Sequence, residues 1–283
     1  MKFFNRKNAS SQTRAEMSFI EHLDALRGHL FKSAIAVALG AIIMAVYNNY
    51  IVKKILMGPT HSDFPTYGFL CRFSKLLGLG NKLCMSQINV KMQSTAVGGQ
   101  FGVYFNIILI GGFILAFPYV FWQFWKFAKP ALTLKELRNT RGVIFWVSLL
   151  FFIGVLFGYF VIAPYTINFF ANFSLDDNIE NRWTITSYFS TLVPLILGAG
   201  LAFQLPLVMF FLAKIGIVSA EFLRKSRKYA IVIMLIISGI ITPPDMLSQI
   251  ICTIPLMILY EISVLLCRSV EKQKKEDEIK EWA

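Results

Sequence analysis

Three carboxylates in this chain each follow a hydroxyl residue by three positions and stand before an apolar run: Ser18-Phe-Ile-Glu21, Thr133-Leu-Lys-Glu136 and Thr242-Pro-Pro-Asp245. In that spacing the hydroxyl accepts from an exposed N–H of the first helical turn, and the carboxylate reaches back to the positive end of the helix dipole. Capping accounts for Asp245, because Pro243 at the first helical position forfeits only a hydrogen bond that would be unmade in any case. Glu136 has a second reading. It stands among Lys126, Lys129, Lys135, Arg138 and Arg141, with Phe127 and Pro130 close by. A carboxylate at a membrane edge can take a guanidinium in a bidentate, charge-assisted geometry that an ammonium cannot copy. On these residues alone, capping and guanidinium recognition both stand.

Further polar groups interrupt apolar stretches: Asn106, Gln123, Asn168, Gln204, Gln249 and Glu261. In hydrocarbon each must face protein, water or a partner. Glu261 can reach the interface near Arg268, and Gln204, between Phe203 and Pro206, can satisfy freed backbone groups or offer a polar site to another membrane helix. His22 and His29 lack a metal-ligand pattern and read as solvent or headgroup contacts. Of four cysteines, Cys71 and Cys84 fall in one polar connection while Cys252 lies in the last apolar run and Cys267 beside it. A Cys71–Cys84 disulfide would brace that connection, although two positions do not set the Cα separation it needs. GxxxxGK[ST], HExxH, GxSxG and CxxC patterns are absent, so no catalysis, cofactor or metal is expected. Work on a substrate would draw on binding, another subunit or an ion gradient, which points to a scaffold or receptor in a transport system.

The elements that must position these groups are membrane spans. Hydrophobic residues make up 56% of the 283, charged residues only 16%, and the mean hydropathy is +0.59, more apolar matter than one soluble core buries. The net charge of +12 lies in strips between apolar runs, which argues against nucleic acid. Spans are expected at about 31–52, 101–125, 143–170, 189–212, 229–241 and 246–266, the fifth being short for a bilayer. The third carries Gly154 and Gly158 at GxxxG spacing, and Pro118, Pro164, Pro194 and Pro206 predict kinks or breaks. Residues 18–30 place Phe19, Leu23, Leu26 and Leu30 on one stripe, as in an amphipathic surface helix. The fold class is therefore an all-α integral membrane protein: six transmembrane helices in a kinked, cupped bundle, the last two short, preceded by that surface helix. One domain over 18–266 is expected, between polar tails at 1–17 and 267–283, with an outer loop at 53–100. The start does not read as a removable signal peptide. Lysine and arginine flank the first, third, fourth and last spans so as to place both termini in the cytoplasm, with Lys53, Lys54, Arg72, Lys75, Lys82 and Lys91 of the outer loop as the exception.

At the level of motifs the chain resembles the TatC family, the multi-spanning core of the twin-arginine protein translocase of the bacterial inner membrane. The landmarks are Ser18-Phe-Ile-Glu-His-Leu-Asp-Ala-Leu-Arg27, Gln123-Phe-Trp-Lys-Phe-Ala-Lys-Pro-Ala-Leu132 with Lys135-Glu136, Phe203-Gln-Leu-Pro206, and Thr242-Pro-Pro-Asp-Met-Leu-Ser-Gln249 through Pro255 and Tyr260-Glu261. The resemblance implies capture of twin-arginine signal peptides of folded cargo at the cytoplasmic face, with Glu136 as the recognition glutamate and Phe127 beside it. It also implies recruitment of single-span TatA- and TatB-type subunits at Thr242, Gln249 and Gln204, self-association in a larger complex, contact with membrane lipid, and passage driven by the proton motive force. The family's first motif, HLxELR, departs here at Ala25, which leaves Glu21 first and Asp24 second as the carboxylate for the other arginine. Two rivals, a secondary transporter for a small solute and an intramembrane enzyme, fit less well: no repeat is evident, the carboxylates crowd the edges, and the spans supply no nucleophile with its base.

Overall fold

Apolar runs that leave water must satisfy their own backbone N–H and C=O groups, and helices do so within one segment. The structure, a computed structural model, describes residues 19–61, 63–76, 92–129, 142–176, 181–242 and 246–282, with the backbone alone at 19–22, 73, 247, 274–275 and 277–282. It is built of α1 (Phe19–Val46), α2 (Pro65–Leu76), α3 (Gly99–Ala128), α4 (Val143–Phe157), α5 (Ala163–Asn172), α6 (Ile185–Ala202), α7 (Leu205–Ile215), α8 (Ala220–Lys225), α9 (Arg227–Ile241) and α10 (Met246–Trp282). Five helical stretches are long and apolar enough to cross a membrane: Leu23–Val46, Gly99–Ala128, Val143–Asn172, Ile185–Ile215 and Ser248–Gln273. Helix α9 has 15 residues, about 22 Å at 1.5 Å per residue, against a hydrocarbon layer of roughly 30 Å.

Two features differ from the sequence expectation. Helix α1 runs without interruption through the segment expected to be a separate surface helix. No proline stands between Phe19 and Val46, and each added residue gains a hydrogen bond once a helix has nucleated. Helix α10 likewise continues past its apolar part to Trp282, where a tail was expected.

The prolines act unequally. Pro118 and Pro194 lie inside unbroken helices, whereas Pro164 follows a π-helical turn, Gly158–Ile162, that separates α4 from α5. Pro206 opens α7 after a break at Phe203 and Gln204, a position where a missing N–H costs nothing. Two short strands, β1 (Met92–Gln93) and β2 (Trp183–Thr184), pair in parallel and tie the connection before α3 to the one before α6.

Three apolar clusters fill the bundle: one among α6 to α10, one joining the end of α1 to α3, α5 and α6, and one between α3 and α4. In the last, Phe117 stacks on the fully buried Phe151. Glycines set the closest approaches. A Cβ on Gly112 would lie 2.5 Å from the Ala41 backbone nitrogen, and one on Gly154 would lie 2.7 Å from the Ala199 carbonyl oxygen. Gly158, the second residue of that GxxxG pair, meets Ile196 in the same way. Gly112→Leu is therefore expected to destabilise the fold by about 1–3 kcal/mol in reversible unfolding in detergent. Gly102→Ala, where a Cβ meets nothing within 4 Å, should be neutral or stabilising by up to about 1 kcal/mol; equal losses in the two variants would contradict the packing assignment.

Candidate functional site

Helix α1 packs along α3, and two contacts set the register. Gly40 faces Gly112, and toward the α1 start the His29 Nδ1–H donates to the Gln123 amide oxygen at 2.8 Å. The intervals from Gly40 to His29 and from Gly112 to Gln123 are equal, so the helices run antiparallel in one register. Gln123, only 3% exposed, thus has the partner that its apolar surroundings demand. His29 corrects the sequence reading: it is half-buried rather than solvated, and its ring meets Phe127 edge-on with centroids 6.5 Å apart. Continuing the register, the exposed Asp24 stands level with the end of α3. Asp24 and Phe127 consequently share one end of the bundle, where Lys126 Nζ also lies 3.7 Å from the Trp122 ring centre. Glu21 belongs to the first turn of α1, with its backbone alone described, and Glu136 lies outside the described residues.

A second polar group of contacts joins α9 to α10. The Ser238 and Thr253 hydroxyls are 2.9 Å apart across the two helices, and Thr253 also donates to the Gln249 carbonyl at 2.7 Å. Gln249 Nε2 donates to the Leu235 carbonyl at 3.0 Å, in space that Gly239 leaves open, since a Cβ there would be 3.1 Å from that nitrogen. Thr242, buried at the end of α9, donates back to the Ser238 carbonyl at 2.8 Å. Its hydroxyl is thus spent closing α9, while Pro243 to Asp245 of the expected capping box lie outside the described residues. Nearby, the buried hydroxyls of Thr166 on α5 and Ser248 on α10 are 2.8 Å apart. The structure therefore brings Thr242 and Gln249 onto one seam and leaves Gln204 elsewhere. Gln204 sits at the α6–α7 break, where its Nε2 donates to the Val147 carbonyl at 3.2 Å and its buried Oε1 accepts no hydrogen bond among the described residues.

Sequence reasoning passed over Ser238, Thr253, Thr166 and Ser248. Their available signal was spacing: Ser238 with Thr242, and Gln249 with Thr253, stand four apart and so share a helix face. At the basic ends of α8 and α9, Glu261 forms an ion pair with Arg227 at 2.7 Å, and Glu271 accepts from the Ala220 N–H at 2.7 Å, capping α8. The Lys225 ammonium, 2.9 Å from Glu221, holds that carboxyl below its usual range. Cys71 is disulfide-bonded; Cys84, its expected partner, lies outside the described residues, and Cys252 and Cys267 are free, buried thiols.

Comparison with known proteins places this architecture. A sequence model described as Sec-independent protein translocase protein (TatC) matches residues 21–255. Among relatives, the Sec-independent protein translocase protein TatC of Blattabacterium sp. subsp. Periplaneta americana is 40% identical over 260 residues, covering 92% of this chain and 98% of its own. TatC of Desulforapulum autotrophicum is 37% identical over 268 residues, covering 95% and 90%, and TatCy of Bacillus subtilis is 31% identical over 258 residues, covering 91% of each chain. A crystal structure of the twin arginine translocase receptor TatC superposes with a TM-score of 0.67 at 31% identity, covering 89% of this chain and all of that one. With agreement along nearly the whole sequence and fold, this chain belongs to the TatC family of Sec-independent protein translocase proteins, membrane components of a translocase rather than catalytic enzymes.

Proposed function

We propose that this chain is the receptor core of a twin-arginine translocase, holding the paired arginines of a signal peptide at the bundle end that carries Asp24 and Phe127. The observation that supports this most is the His29–Gln123 hydrogen bond with Phe127 against the histidine ring. It gathers the start of α1 and the end of α3 at one edge, and the chain leaves that edge into the segment that contains Glu136. Glu136 takes one guanidinium and Glu21, or else Asp24, takes the other. Bidentate pairing at both sites would reject lysine, whose ammonium is a point charge.

In this reading the chain crosses the inner membrane six times, with α9 crossing where the bilayer thins, and both termini are cytoplasmic. The pairing of β1 with β2 supports that topology, since it puts the connections before α3 and α6 side by side. Single-span partner helices dock at Thr242 and Gln249 on the α9–α10 seam and at Gln204, half-buried at the α6–α7 break. The receptor associates with further copies of itself, contacts lipid, and uses the proton motive force to move folded cargo through the assembly.

Two experiments check these assignments. A photoreactive residue in place of Phe127 in native membranes should crosslink a signal peptide carrying two arginines, and the yield should fall at least about tenfold with two lysines or with Glu136→Ala. Equal labelling by the lysine peptide, or no loss with Glu136→Ala, would return Glu136 to helix capping and remove it from the arginine site. Gln249→Leu should lower stability by only about 0.6 kcal/mol while abolishing co-purification of the single-span subunits. Retained co-purification would remove the α9–α10 seam as their docking site.

A further inference from the structure

Beyond α1 the chain folds back as a helical turn at Asn48–Tyr50, a π-helical turn at Ile51–Leu56 and a 3-10 turn at Gly58–Thr60. Between this return, α1, α3 and the α4 end lies a cavity of about 830 Å³, toward the upper end of the roughly 300–1,000 Å³ of small-molecule sites. Its walls are apolar, with Ile107 and Ile114 of α3 and Val155 of α4 among them, and Lys54 is the one charged residue among the described residues that line it. The return is held in place: Tyr159 and Tyr188 donate to the carbonyls of Ile55 and Leu56, each at 2.6 Å. At the rim Ile43, Tyr47 and Leu156 are exposed, so the cavity opens sideways, onto the surface that the helices present to hydrocarbon. Lys54 is exposed and has no hydrogen bond or ion pair among the described residues. Lys53 and Lys54 are also the first basic residues on the side of the bundle where the charge rule expects few.

We propose that this cavity binds one anionic phospholipid, its acyl chains in the slot and its phosphate on Lys54. An apolar slot that opens into the bilayer is filled by hydrocarbon, a tyrosine-rimmed mouth suits the depth of the headgroups, and a lysine on an aliphatic stem brings its charge to that level. The site is remote from the arginine-binding end and does not rest on the receptor reading.

The test is native mass spectrometry of the full chain titrated with phosphatidylglycerol or with phosphatidylcholine of the same acyl chains. The unaltered chain should retain phosphatidylglycerol about fivefold more tightly, as expected for one lysine near an anionic headgroup. Lys54→Gln should erase the preference while both lipids still bind, Ile114→Trp should reduce both, and Lys75→Gln on α2, which does not line the cavity, should change neither. Equal retention of the two lipids by the unaltered chain overturns the proposal, as does a preference that survives Lys54→Gln. Binding of an apolar signal-peptide segment that Ile114→Trp abolishes, with no retention of either lipid, also overturns it and makes the slot a peptide site.

Discussion

Helices in hydrocarbon gain nothing by hiding apolar surface from one another, since lipid is as apolar as leucine; what joins them is close packing and the few hydrogen bonds that cross between them. The contact of Gly40 with Gly112 is the constraint on which the candidate site depends. Because neither residue has a side chain there, α1 and α3 approach backbone to backbone in the register that sets the two glycines opposite each other. The same register delivers His29 to Gln123, so a polar pair that would be costly alone becomes a second lock. Gly154 and Gly158 play the corresponding part between α4 and α6, which leaves the loops and helix ends to carry function on a frame that does not slide.

The other half of the molecule is built on short helices and hydroxyl groups. Helix α9 does not reach across a normal bilayer, and its contact with α10 adds hydrogen bonds of Ser238, Thr253 and Gln249 to the apolar packing of Met234 in the cluster it shares with Leu256. Each such hydrogen bond is modest, about 0.6 kcal/mol in membrane proteins. A seam of this kind holds the pair in place with several small contributions rather than one large one.

Much of this was legible in the residues. Apolar run lengths located the five long helices, the GxxxG spacing singled out Gly154 and Gly158 without naming the helix they meet, and Pro206 marked the break that opens α7. Gln123 stood out because an amide in an apolar run demands a partner. Its partner did not, because His29 lies on a helix whose stripe shows which residues share a face but not which neighbour that face meets. The return of the chain over 51–60 was equally hidden: its shape depends on Tyr159 and Tyr188, more than a hundred residues away in sequence. The expected surface helix over 18–30 shows the converse limit, since local amphipathic spacing does not say whether a helix stops before its apolar continuation.

The most direct test of a twin-arginine receptor is a double-mutant cycle in lipid nanodiscs, reading the affinity of a labelled signal peptide for the full chain with Glu136 or Glu136→Gln, and with each peptide arginine in turn changed to lysine. One arginine should couple to Glu136 by at least about 1.5 kcal/mol, the scale of a hydrogen bond to a charged group. Additive losses for both arginines, with no coupling beyond about 0.5 kcal/mol, would contradict the account.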